Sequence, residues 1–194
     1  MDRNLTLCTG LDALVHAIEA YVSSASSPLT DVHALEAIRL IHCFLPQVVD
    51  NLDDVRLREQ MMLGSLEAGL AFSNASLGAV HAMAHSLGGL LDLPHGECNA
   101  LLLEAVIRAN YSAVPERYDR IGALFGVALE GRSEQERCQG LLDALGTFKQ
   151  QLGFTPGLEK RGVLRKDLGA LSRKALTDPC MVTNPRRLEE SDIE

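Results

Sequence analysis

Apolar residues recur at three- and four-residue intervals along most of the 194-residue chain, the spacing of helices that bury one face. Leu11, Leu14, Val15, Ile18 and Val22 form the first such stripe. Ahead of it, Thr9-Gly10-Leu11-Asp12 has the form of a capping box with Asp12 in the acidic third slot, which predicts a helix start there. A Ser-rich connector, Ser23 to Ser27, leads to Pro28, a residue suited to a first helical turn. Val32, Leu35, Ile38, Leu40 and Ile41 then carry a second helix to about Val49. A third starts at Asp53 or Asp54 and runs through Met61, Leu66 and Leu70 to about Phe72.

The segment from Ser73 to Gly96 differs in kind. It is rich in Gly, Ala and Ser, carries His81, His85 and His95, and breaks at Pro94-His95-Gly96. A helix from about Leu77 to Leu91 followed by a tight turn is the expected arrangement. Further helices are expected over 97–109, 115–129, 133–152 and 165–176, the third opened by a capping box from Ser133 to Glu136. Joints fall at Gly131 and at Thr155-Pro156-Gly157, and Ser191-Asp192-Ile193-Glu194 has the form of one more helix start. With no internal repeat and no low-complexity tract, residues 1–194 read as a single helical unit.

Composition supports that reading. Leu (33) and Ala (21) far outnumber Val, Ile and Thr together (25), which favours helix over strand. The class is therefore all-α. A net charge of −8, no Trp, and no basic stripe set among aromatics disfavour a nucleic-acid partner. Uninterrupted apolar runs are short, which speaks against a membrane span, and Met1-Asp2-Arg3-Asn4 lacks the apolar stretch of a secretory signal. Five cysteines form no C-x-x-C pair, so free thiols in a reducing cytoplasm are expected.

Candidate chemistry lies in the histidines. Asp12 and His16 are four apart, as are His81 and His85, so each pair shares one helix face, and His95 follows after a turn. Both pairs sit among apolar neighbours, where an unpaired polar group is costly. A divalent cation would justify them. One carboxylate oxygen and three imidazole nitrogens suit Zn or Fe(II) better than the oxygen-seeking Ca or Mg. Alternatively, Asp12 caps its helix and the histidines are satisfied core or surface groups. Spacing leaves both open, since neither H-E-x-x-H nor C-x-x-C occurs.

Thr9-Gly10-Leu11-Asp12-Ala13-Leu14-Val15-His16-Ala17-Ile18-Glu19-Ala20-Tyr21 resembles the T-G-x-D-A-L-x-H-A-I-E-A-Y signature of the iron-containing (group III) alcohol dehydrogenases. Gly78-Ala79-Val80-His81-Ala82-Met83-Ala84-His85, then Leu87-Gly88, Pro94-His95-Gly96 and Asn99-Ala100, are similar to the second signature of that family. Asp178-Pro179-Cys180-Met181-Val182-Thr183-Asn184-Pro185-Arg186 is similar to its terminal D-x-C-x-x-T-N-P-R segment.

The resemblance implies the helical C-terminal domain of the dehydroquinate synthase-like fold, with Asp12, His16, His81 and His95 as metal ligands. It implies that His85 lies beside the nicotinamide and substrate, outside the ligand set, as a cofactor-contacting and catalytic residue. Phe72 and Cys180 match positions that face the substrate pocket in some members, with a plain core role as the alternative, whereas Glu19 and Tyr21 are read as packing and hydrogen-bonding residues, and His33 and His42 match no functional position. The implied activity is NAD(P)-dependent interconversion of a small alcohol and its aldehyde or ketone, with Fe(II) or Zn as Lewis acid. Such enzymes join this domain to an N-terminal dinucleotide-binding domain, and no strand–glycine-rich-turn–helix unit occurs here. The chain thus reads as a fragment or truncated relative with its last helix cut short, inactive alone, with that missing half or a second copy of the chain as its expected partner. A non-catalytic metal-binding domain, a zinc glycerol dehydrogenase and a dehydroquinate-synthase-like lyase are the competing readings.

Overall fold

The computed structural model describes residues 1–155 and 157–193. Pro156 of the expected joint and Glu194 of the expected terminal capping box lie outside the described residues. Of the described residues, 77% are helical and none forms a strand, so the all-α expectation holds. The α-helices are α1 (Arg3–Val22), α2 (Pro28–Asp50), α3 (Val55–Ala75), α4 (Ala79–Leu91), α5 (His95–Asn110), α6 (Pro115–Leu124), α7 (Glu134–Gln151), α8 (Leu168–Leu176) and α9 (Glu190–Ile193).

Helix α1 is central and packs against α2, α3 and α5, while α4 lies between α5 and α8. Leu11, Leu14 and Ile18 of α1 and Ile38, Ile41 and Leu45 of α2 are almost wholly buried. Small residues let these helices approach closely. A Cβ on Gly10 would meet a Leu45 methyl carbon at 2.4 Å, and one on Gly64 of α3 would stand 3.1 Å from Ile41 Cγ1 of α2. Helices α1 and α2 reach the length and mean hydropathy (1.3 and 1.2) of a membrane-crossing helix, yet 78% of the α1 window is buried inside the fold.

Several boundaries differ from expectation for identifiable reasons. Helix α1 starts at Arg3, capped by Asp2, whose side chain accepts from the Leu5 N–H at 2.8 Å. Thr9 is no cap. Its hydroxyl donates back to the Leu5 carbonyl at 2.8 Å, the alternative such side chains find inside a helix. Asp12 therefore sits mid-helix, without the capping duty the sequence allowed it. Helix α6 ends at Leu124 rather than near 129, because Gly126 takes a left-handed φ of 79°. Val127 N–H then bonds the Gly122 carbonyl at 2.9 Å and Gly126 N–H that of Ala123 at 3.1 Å, which closes the helix as a Schellman motif. At the C-terminal end, Asp192 accepts from the Glu189 N–H at 2.9 Å, and α9 begins at Glu190, ahead of the start expected at Ser191.

Candidate metal centre

Helix α1 presents Asp12 and His16 from successive turns, α4 presents His81 from its first turn, and α5 begins with His95. One ligand atom from each of the four lies within 4.8 Å of every other. His95 Nε2 is 3.5 Å and His81 Nε2 3.9 Å from Asp12 Oδ1, and His16 Nδ1 is 3.9 Å from Asp12 Oδ2. What admits His95 is the glycine after it. A Cβ on Gly96 would stand 2.1 Å from the Cys8 carbonyl oxygen and 3.1 Å from Asp12 Cβ, so only glycine lets α5 start against α1.

Asn99, one turn along α5 and fully buried, reaches into the same point. Its Nδ2 donates to Asp12 Oδ1 at 2.6 Å and lies 3.1 Å from both His81 Nε2 and His95 Nε2, while its Oδ1 is buried without a partner. Three acceptors, one of them anionic, converge where the amide has only two hydrogens to give. A carboxylate and three imidazoles around such a point fit Zn(II) or Fe(II). The protonation states agree with this. Burial, then the neighbouring His81, push the His16 imidazole down to about 4, and burial lowers that of His95. Both rings thus keep a lone pair at neutral pH.

The flanking residues also gather here. Phe72 stacks on His16 with ring centroids 4.4 Å apart, and His16 stacks in turn on His81 at 4.6 Å. His85, well exposed, stacks on His95 at 5.3 Å, and its Nδ1 lies 2.8 Å from Asp178 Oδ2. His85, Asp178 and Cys180 form a second group within 4.8 Å. Burial, then the adjacent Asp178, push the Cys180 thiol up to about 12, which makes it a poor nucleophile. His33 pairs with Glu67 and His42 packs on Phe125, away from the centre.

Three residues at the centre had no functional role assigned from sequence, namely Asn99, Asp178 and the buried Glu19, which was read as a packing and hydrogen-bonding residue and whose carboxylate backs His81. Spacing held a faint signal for two of them. Glu19 falls three residues after His16, and Asn99 four after His95, each on its neighbour's helix face.

The profile of the Fe-containing alcohol dehydrogenase family, C-terminal, matches residues 6–194. The chain belongs to this family. Among its relatives, 1,3-propanediol dehydrogenase of Klebsiella pneumoniae is 43% identical over 189 residues, which cover 97% of this chain and 49% of that enzyme. NAD-dependent methanol dehydrogenase of Bacillus methanolicus is 38% identical over 189 residues, covering 97% and 50%. The crystal structure of a 1,3-propanediol oxidoreductase superposes on the whole chain and on 50% of its own length, with a TM-score of 0.95 and 42% identity. The chain therefore spans about half the length of the family members it matches.

Proposed function

We propose that this domain provides the metal centre of an NAD(P)-dependent alcohol dehydrogenase acting on a small alcohol or aldehyde. The observation that carries the reading is the convergence of Asp12, His16, His81 and His95 within 4.8 Å in a member of this family. Those four residues would hold Fe(II) or Zn(II), which when bound supplies a Lewis acid for the alcohol or carbonyl oxygen. Burial keeps His16 and His95 neutral, so they are ready as ligands at cellular pH. His85 is braced at Nδ1 by Asp178 and stands exposed beside His95, which leaves Nε2 to hold or pass the substrate hydroxyl proton. The Phe72 ring covers one face of His16 and, with the protonated Cys180 thiol, gives the substrate side an apolar border.

Among the described residues there is no strand, hence no strand–turn–helix cradle for the cofactor pyrophosphate. The nicotinamide cofactor is accordingly assigned to a dinucleotide-binding segment outside them, with a second copy of the chain as the alternative partner covering the face beside the histidines. The chain alone should bind metal and show no turnover of alcohol with NAD or NADP. Anaerobic purification with metal quantification tests the reading. One Fe or Zn per chain is expected, with Asp12→Ala and His81→Ala each reducing occupancy below about a tenth. Wild-type protein that takes up no metal, or an Asp12→Ala variant that keeps it, would overturn the assignment.

A further inference from the structure

We infer that Glu19 sets the tautomer of His81 and so aims a lone pair into the metal centre; the inference rests on the centre proposed above. Glu19 lies on the face of α1 that carries Asp12 and His16 and is only 4% exposed. A carboxylate so buried demands partners. It has three. Oε1 accepts from the Val80 N–H at 2.6 Å, and Oε2 accepts from the His81 N–H at 3.3 Å and from His81 Nδ1 at 2.6 Å.

The first two bonds cap a helix that has no cap of its own. Gly78 precedes α4 at the capping position without a side chain to accept from the free N–H groups, and Asn184 Oδ1 accepts from the Ala79 N–H at 3.1 Å. A Cβ on Gly78 would lie 3.0 Å from both the Glu19 and the Asn184 oxygens, so the glycine makes room for this capping from outside the helix.

The third bond has a different consequence. A carboxylate facing an imidazole nitrogen accepts, so the His81 hydrogen resides on Nδ1 and Nε2 is left with its lone pair. That lone pair faces Asn99 Nδ2 at 3.1 Å and Asp12 Oδ1 at 3.9 Å, inside the centre. The opposite tautomer would put a proton there instead. Glu19 is thus a positioning residue acting through His81, in the manner of carboxylate–histidine–metal arrangements.

Glutamine at this position keeps one cap bond and reverses the bond to the ring. Its carbonyl can still accept from Val80, whereas its amide N–H2 no longer accepts from the His81 N–H and, facing Nδ1, favours the wrong tautomer. Zn(II) titration of the full chain against a competing chelator should find Glu19→Gln weaker by about 10- to 100-fold, and Glu19→Asp intermediate. Asn184→Ala removes the neighbouring cap together with the Asn184 bonds to Asn110 and the Arg186 carbonyl, while leaving Glu19 and His81 in place; it should lower Tm while leaving Zn(II) affinity within about threefold of wild type, a change small beside that expected of the carboxylate. Imidazole nitrogen-15 shifts of the metal-free chain should show Nδ1–H at His81 in wild type and Nε2–H in Glu19→Gln. Unchanged Zn(II) affinity in Glu19→Gln, an equal loss in Asn184→Ala, or Nε2–H in wild-type His81 would each overturn the inference while leaving the centre standing. Wild-type protein that binds no Zn(II) overturns the centre itself, and this inference with it.

Discussion

His42 shows what burial does to an imidazole that has no ligand to meet. It packs on Phe125 at 4.3 Å and Phe148 at 5.2 Å, and desolvation holds it below its ordinary pKa. The folded state therefore resists protonation more than the unfolded chain does. Stability from this source is complete above the unfolded value of about 6.5 and is lost as pH falls towards the folded one. Urea unfolding at pH 7.5 and 5.5 should show a smaller acid loss for His42→Phe than for wild type, since His16 and His95 add losses of the same sign that the variant keeps. An equal loss in both proteins would contradict this. The thiols give a second check. Exposed Cys43 should react with iodoacetamide at pH 8 at least about tenfold faster than Cys180, whose thiol is held up to about 12. Of the candidate ligands, only the Asp12–His16 pair could be read from i,i+4 spacing, whereas His81 and His95 joined it through the resemblance. Asn99, Asp178 and the role of Glu19 could not, because a single acceptor acquires meaning only from the partner that folding brings to it.

At the scale of elements, glycine decides where helices start, stop and touch. The α6 end at Gly126 had a signal in sequence that apolar spacing hid, since Val127 and Leu129 continue the stripe after the chain has turned away. The α1 start had a misleading one, because a Thr–x–x–Asp box looks the same whether its hydroxyl caps forwards or bonds backwards. Close approaches leave even less trace. Gly96→Ala would drive a Cβ into the Cys8 carbonyl, so α5 must shift and carry His95 with it. Thermal unfolding should show a loss of about 1–3 kcal/mol or more, accompanied by weaker Zn(II) binding. Gly146, inside α7, has nothing within 4 Å of its added Cβ. Gly146→Ala should therefore stabilise by about 0.4–1 kcal/mol and leave Zn(II) binding alone. If the two substitutions behave alike, the close contact between α5 and α1 is not what positions His95.

At the scale of the molecule, the centre joins three helices that are otherwise held together mainly by apolar packing. Asp12 and His16 belong to α1, His81 to α4 and His95 to α5, so a cation bound by all four ties distant parts of the chain together. The all-α class was legible from the Leu and Ala excess because composition sums over every helix. The meeting of α1, α4 and α5 was reached only through the resemblance, since nothing in their separate stripes states which faces meet. Folding that assembles the centre must also be stabilised by whatever binds it, because the unfolded chain offers no comparable cluster. At a free Zn(II) concentration of about 100 times Kd, the stabilisation is about 2.7 kcal/mol. For a domain of this size that corresponds to a Tm increase of about 5–11 °C. Scanning calorimetry with and without Zn(II) should show the increase, and excess chelator should abolish it. Asp12→Ala should show none, because the remaining imidazoles lose the only anionic ligand of the four. A Tm unmoved by saturating Zn(II), or moved equally in Asp12→Ala, would mean that the four side chains do not act together as one centre.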